Sequence, residues 1–416
     1  MSDAGMPGYQ ESDAGGIPAD WSPLPLGAVV SVRKDKGIAK RGVPCIELEH
    51  VEPETGRLLG WDSSGTQVSI KTAFKRGDVL FGKLRPYLRK YAVAPFDGIC
   101  TTEILAIHPR DGQFDSQFLF HLMQGDGVFA TVEALSYGTK MPRVSWTDLS
   151  DIVLGIPPFP EQQKIAAILT AVDDKLDVIA RQIEATQTLK QGLMQTLFER
   201  GVGSHHAANW PTVSLCEVAE VRTGVAKGKK GLKEPVELPY LRVANVQDGH
   251  IDLSEVKNIE VEATQVERFT LRPGDVLMTE GGDFDKLGRG DVWEGQISPC
   301  LHQNHVFAVR PQPGKLSSYY LAALAASDHG RQYFLSCAKR TTNLASINSS
   351  QLKAFPVLLP SIAVQESIVE VVHSANAKVA VLEEKQKRYQ TLKRGLMQKL
   401  LTGEWRVSLN ASATRT

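Results

Sequence analysis

The sequence of 416 residues has no apolar run near the ~20 residues that a membrane-spanning helix needs. Its first stretch, "MSDAGMPGYQESDAGGIPAD", lacks the basic and apolar regions of a signal peptide. Residues 1–19 and 408–416 read as flexible tails. Cysteine is scarce: Cys45, Cys100, Cys216, Cys300 and Cys337 are odd in number, widely spaced and never arranged C-x-x-C. That pattern excludes a disulfide frame and a cysteine zinc site, and points to reduced thiols in the cytoplasm. Net charge is zero, which excludes a uniformly basic coat but not local basic patches.

Catalytic signatures are missing too. "GVAKGKKG" has three residues between Gly224 and Gly228 where a phosphate loop needs four, and no Ser or Thr follows the lysine. In "GIPPFP", Ile156 stands where an adenine methyltransferase needs an amide or acid for the flipped base. His205 and His206 have no third ligand at useful spacing. No catalytic residue, metal site or cofactor is expected.

What is present is a chain written twice. "DWSPLPLGAVVSV" from Asp20 is echoed by "NWPTVSLCEVAEV" from Asn209, and "FKRGDVLFG" from Phe74 by "LRPGDVLMT" from Leu271. "DSQFLFHLM" is answered by "LSSYYLAAL". "LGIPPFPEQQKIAAIL" from Leu154 is answered by "VLLPSIAVQESIVEVV" from Val357, and "TLKQGLMQTL" from Thr188 by "TLKRGLMQKL" from Thr391. The offset grows from 189 to 203 and then stays fixed, so the second copy holds its extra residues before its final helix.

Each copy has two parts. The first is punctuated by Gly and Pro and carries short apolar runs such as "AVVSV", "DVLFG", "ILAIH", "YLRVANV" and "HVFAV", which read as strands. Helices are expected near Ser116–Met123 and Ser318–Ala326. The second part, Glu161 to Glu199, contains no proline. Ile165, Leu169, Val172, Leu176, Ile179 and Ile183 recur in the 4, 3, 4, 3, 4 steps of a heptad seam. Ile368, Val372, Ala375, Val379 and Leu382 repeat it, continued by Gln386 and Tyr389. Helices of this length span roughly 60 Å, opened by prolines and closed by Gly201–Gly203 and Gly403.

The expected fold class is α+β. Two similar α/β domains are separated by two long helices packed as an antiparallel coiled coil, in a pseudo-two-fold internal repeat. The expected boundaries are 1–19 tail, 20–155 first domain, 156–203 central helical region, 204–358 second domain, 359–407 C-terminal helical region and 408–416 tail.

Basic residues cluster in matching turn-rich segments. Lys34, Lys36, Arg41, Lys83, Arg85, Lys140 and Arg143 stand in the first domain, and Lys227, Lys229, Lys230, Lys286, Arg289 and Arg340 in the second. Phosphate contacts position a protein, whereas base contacts specify sequence. Arg85, Arg143, Arg289 and Arg340 suit bidentate bonds to guanine, and Gln303, Asn304 and Asn343 suit adenine. Tyr87 and Tyr137 are able to stack on bases or to pack, and packing is the expectation.

The twin "P-P-x-x-E-Q-x-x-I" segment at Pro157–Ile165, the duplicated "LK-x-GLMQ-x-L" exit, "LLTGEWRV" at Leu400–Val407 and the twin "W-x-x-x-x-L" openings at Trp21 and Trp210 carry a resemblance. The chain resembles the specificity subunits of type I restriction–modification systems over about residues 20–407. One departure is Ser361 where the first copy has Pro158, with only Gln365–Glu366 matching the "EQ" pair. The resemblance implies two target-recognition domains that each read half of a bipartite site in double-stranded DNA, and helices that fix the gap. It implies as partners two adenine-N6 methyltransferase subunits and, for restriction, nuclease/translocase subunits. The alternative is a coiled-coil protein scaffold that reads no DNA. Lys190, Gln191 and Gln195, with Lys393, Arg394 and Gln398, fall outside the seam and are the methyltransferase-docking candidates.

Overall fold

The computed structural model describes residues 8–63, 65–66, 69–203, 206–228, 231–282, 287–340 and 345–408, with Arg340 described by its backbone alone. The chain divides into two compact units. Unit 1 holds residues 1–180 and 384–416, and unit 2 holds residues 181–383. Each unit therefore owns part of both long helices, Phe159–Arg200 and Ile362–Leu400. Among the described residues no helix is long and apolar enough to cross a membrane.

In unit 1, four antiparallel strands lie in the order Val30–Val32, Ile104–Pro109, Val79–Gly82, Tyr91–Val93. In unit 2 the matching sheet runs Ala219–Thr223, Val306–Pro311, Val276–Thr279, Gly290–Val292. The third strand of each is buried throughout, as an apolar run with no polar alternation requires. Its residues serve two cores by turns. Val79 and Phe81 join Phe118, Phe129, Ile165 and Leu169, while Leu80 joins Ile46, Phe74 and Cys100. Val276 and Met278 join Tyr320, Phe334 and Ile368, while Leu277 joins Leu241 and Trp293. Opposite faces of a strand alternate with period two, so one short run binds a helical layer to a second sheet.

The "G-D-V" repeat before that strand is a turn device. Gly77 and Gly274 hold φ of +88° and +92°, in the left-handed region that favours glycine. Asp78 then accepts from the backbone of Lys75 at 2.8 Å and from Arg33 at 2.8 and 3.0 Å. Asp275 accepts from the backbone of Arg272 at 2.8 Å and from Arg310 at 2.7 Å twice. Both carboxylates are buried, so the arginine beside each provides the pairing that a buried charge needs.

A two-stranded sheet joins the start of each domain to its end: Ser22–Pro25 with Val153–Ile156, and Thr212–Ser214 with Pro356–Leu358. The two helices expected in the domains are present at Ser116–Leu122 and Ser318–Ala326, each N-capped, by Asp115 and Ser317.

The long helices are locked to their domains by the same side chain twice. Gln162 accepts from the Asp115 backbone at 2.9 Å and donates to Pro157 O at 2.9 Å. Gln365, 203 residues later, accepts from the Ser317 backbone at 2.8 Å and donates to Pro360 O and Lys315 O at 2.9 Å. The seam residues Ile165, Leu169, Ile179, Ile368 and Leu382 are buried, and Val172, Leu176, Ile183, Val372, Ala375, Val379, Gln386 and Tyr389 are half-buried. Inside unit 1 the helical stretches meet in opposite directions: Leu400 packs in the core with Ile165 and Leu169, while Lys393 reaches Asp173.

The expected tail at residues 1–19 is instead partly structured. Tyr9–Ser12 and Gly15–Pro18 form an antiparallel hairpin. Ile17 is buried in the unit 1 core, and Tyr9 Oη donates to Gly403 O at 2.8 Å. A turn at Asp13–Ala14 and one apolar anchor suffice, although the segment is rich in glycine and alanine.

Candidate nucleic-acid interface

In unit 1 two of the three basic segments are knitted together. The Arg85 backbone donates to Pro142 O at 2.7 Å, the Val144 backbone donates to Lys83 O at 3.1 Å, and Leu84 bridges Arg143. Pro86–Leu88 is a tight 3-10 turn flanked by Arg85 and Arg89, whose φ values of +50° and +47° are unusual for a side chain bearing Cβ. The turn fixes Arg85 and Tyr87 on the surface, Tyr87 being 52% exposed. Tyr137 is 59% exposed, and Lys140 and Met141 are also exposed. The expectation that the two tyrosines pack inside is therefore corrected: their rings are free to stack. Lys34, Lys36 and Arg41 are exposed, and Lys36 lies on a different sheet, where Lys36–Gly37 pairs with Lys71–Phe74.

Not every expected cation is free. Arg143 donates to Glu103 from Nε at 3.1 Å, and this pairing raises its pKa. Its fork is already filled, which removes it as a ready guanine reader. Lys83 is half-buried. Arg89 pairs with Asp126 at 2.8 Å and lies 4.8 Å over the Phe129 ring, so it braces the turn rather than facing outward.

In unit 2 the corresponding segments are tied in one chain of backbone bonds. Asn304 donates to Val225 O at 2.9 Å, Glu280 to His305 O at 3.0 Å, and Ile347 to Glu280 O at 2.8 Å. Gly281–Gly282 and Lys339–Arg340 both pair with Ala345–Ser346. Lys227 is exposed, and Arg289, Gln303 and Asn304 are half-buried. Arg289 Nε is buried and has no hydrogen-bond partner among the described residues. Lys229, Lys230, Lys286 and Asn343 lie outside the described residues, as does the side chain of Arg340.

Sequence reasoning missed the acidic partners. Glu103 pairs with Arg143 in unit 1, and Glu280 pairs with His305 in unit 2. Both pairs sit where the segment before the "EILAIH" or "HVFAVR" strand meets the basic loops, with glutamate before the strand in one copy and histidine in the other. The available signal was the position of Glu103 and His305 just before matching strands.

The docking candidates also separate. Gln191, Gln195, Arg394 and Gln398 are exposed. Lys190 is half-buried, its charge felt by the half-buried Asp291. Lys393 is turned into unit 1, where it donates to Asp173 and to Gln124 Oε1, each at 2.7 Å. That is a correction: a lysine outside the seam still reaches a half-buried carboxylate on the neighbouring helix. Burial raises the pKa of Asp173 and, with Lys393 nearby, pushes the His121 imidazole down to about 3. Burial likewise holds His302 down to about 4 in unit 2.

Paired loops that present cations, amides and aromatic faces are suited to binding a polyanion and reading its edges. The description "type I restriction modification DNA specificity domain" belongs to the family model that matches residues 62–187 and 208–391. The match covers more than half of the chain, and the chain belongs to this family. It is 22% identical to the type I restriction enzyme MjaVIII specificity subunit of Methanocaldococcus jannaschii, across 94% of both chains. It is 25% identical to the type I restriction enzyme EcoDI specificity subunit of Escherichia coli, but over only 49% of this chain and 46% of that one. A solved chain from work on complex assembly and conformational transition of the type I R-M system covers 94% of this chain and 99% of its own, with TM-score 0.59 and 22% identity. At that identity the likeness is one of fold.

Proposed function

We propose that this chain is the DNA-specificity subunit of a type I restriction–modification enzyme, without a catalytic centre of its own. Each unit reads one half of a bipartite site in double-stranded DNA through its paired loops. The long helices form an antiparallel coiled coil in a pseudo-two-fold repeat, fix the gap between half-sites, and recruit two adenine-N6 methyltransferase subunits. Restriction/translocase subunits join where they exist. The domains that do this are residues 20–155 and 204–358, with helical regions 156–203 and 359–407.

The observation that carries the reading is the convergence of turn-rich basic segments, two in unit 1 and three in unit 2, beside the ends of the two middle strands of each four-stranded sheet. The buried or half-buried heptad positions support the coiled coil. Arg85 and Tyr87 are the foremost base-reading candidates in unit 1, since a tight turn holds both outward. Lys34, Lys36, Arg41 and Lys140 suit phosphate contacts.

The first test is a genome-wide map of methylated adenine with and without the gene. A split motif that loses its methyl groups on deletion is the expected result. Binding of the purified complex to that motif should weaken steeply with salt, by ~0.9 log unit per log salt for each phosphate neutralised. A flat salt response together with unchanged methylation would sink the reading.

A further inference from the structure

Among the described residues, four large apolar side chains are exposed on the long helices: Val178, Leu189, Val381 and Leu392. They fall into two pairs, each separated by 203 residues, which is the offset of the helical repeat. Leu189 is 61% exposed in unit 2 and Leu392 48% exposed in unit 1. Three residues beyond each leucine stands a glycine, Gly192 or Gly395, on the exposed surface of its helix. A Cβ placed on either would meet no atom within 4 Å.

The fold itself therefore does not ask for glycine at these two places. Gly330 is different, because a Cβ there would lie 2.3 Å from Ala325 O. Gly127 is also open, but it sits in the first turn of its helix. Inside a helix glycine weakens the structure relative to alanine, and an exposed leucine gains nothing from water. The chain carries both disadvantages twice, at matching positions. Charge is not what the two places share, since Gln191 precedes one glycine and Arg394 the other. They share a leucine, a bare stretch of helix backbone, and a glutamine at Gln195 or Gln398. Such a surface fits a second helix, because a missing Cβ lets two helix axes approach more closely.

Resting on the methyltransferase docking proposed above, we propose that Gly192 and Gly395 are crossing points for two copies of one partner helix. Each copy belongs to a methyltransferase subunit and packs on one unit, with Leu189 or Leu392 entering its apolar face. The partner helix carries a small residue where it crosses. One repeated surface explains two identical partners, and an apolar contact explains why the flanking charge is free to differ.

The test uses the full chain co-expressed with its cognate methyltransferase subunit. Glycine is replaced by alanine and by leucine at positions 192 and 395, singly and together, and stoichiometry is read by native mass spectrometry. Gly395→Leu and Gly192→Leu should each lose one methyltransferase copy, and the double variant both. The alanine variants should bind at least ~10-fold more weakly, while their helical melting stays unchanged or rises. Partner affinity should change little between low and high salt, unlike DNA binding. A double leucine variant that holds two subunits at wild-type affinity would overturn the crossing. A wild-type chain that binds no methyltransferase at all would overturn the docking itself, and the crossing with it.

Discussion

In unit 2 the step from a long helix to its domain is continuous chain, from Gly201 to Trp210. In unit 1 the matching corner joins residues near opposite ends of the sequence, and side chains bridge it. Arg406 donates to Glu161 at 2.9 Å twice and to Asp20 at 2.9 and 2.6 Å, while Trp21 Nε1 donates to Glu161 at 3.1 Å. The residue matching Glu161 in unit 2 is Val364, buried in an apolar core. The glutamine next to each is unchanged in role. The comparison teaches that the repeat preserves the lock between helix and domain, and varies the closure according to whether the backbone already supplies it.

The lock is where this comparison breaks most severely. Gln162→Ala strands a backbone N–H and a carbonyl in unit 1, and should destabilise that unit by about 3 kcal/mol. Gln365→Ala should do the same to unit 2 alone. Hydrogen exchange on each variant checks it, and loss of protection spread evenly over both units would show that the locks are not local.

The closure should matter somewhat less. Arg406→Ala leaves the Glu161 carboxylate buried with Trp21 alone, and should cost unit 1 about 2 kcal/mol, since the 42% exposure of the Arg406 side chain admits screening. Adding Glu161→Val copies unit 2 and should recover most of that loss in urea melts. No recovery would mean that valine does not fit the unit 1 pocket.

Reading of DNA offers a third contrast. Arg85→Ala should weaken binding by ~1–2 kcal/mol and relax one position of one half-site, whereas Lys140→Ala should weaken all sequences alike and lower the salt slope by about 1. Competition between single-base variants of the site separates these outcomes.

A last contrast concerns acid. Buried His121 and His302 have pKa values lowered to about 3 and about 4. Below pH ~6.5 the unfolded imidazole gains a proton that the folded one refuses, so stability falls from there down to the folded pKa. Asp173 and Asp291, raised by burial, act in the opposite direction at lower pH, because the folded carboxyl takes its proton first. His302→Gln should therefore lose less stability than wild type between pH 7.5 and 4.5 in urea melts, and an equal loss would exclude the histidine as the cause.

Much of this architecture was legible because it is periodic. The heptad steps from Ile165 to Ile183 located a helix and its inward face, and the fixed offset of 203 located its twin. The "G-D-V" repeat was visible as a pattern, but Arg33 and Arg310 reach their aspartates from different strands, which spacing does not encode. The hairpin at Tyr9–Pro18 escaped because its anchor is one isoleucine in a glycine-rich stretch. Lys393 was misplaced for a related reason: periodicity tells which residues leave the seam, not how far a four-carbon side chain reaches back. Candidate DNA contacts were legible as basic loops, whereas the neutralising Glu103 became visible only once the loops were paired.

The hairpin and the Arg406 bridge have a consequence for synthesis. Unit 2 is one uninterrupted stretch of residues, 181–383, while unit 1 needs residues from 384 onward to fill its core with Leu400 and to satisfy Glu161. A chain emerging from a ribosome can finish its second unit while the first still lacks its closing helix and exposes Ile165 and Leu169. A segment translated after the second unit is thus the one that seals the first, and a chain cut short before Glu384 carries one finished unit and one open core.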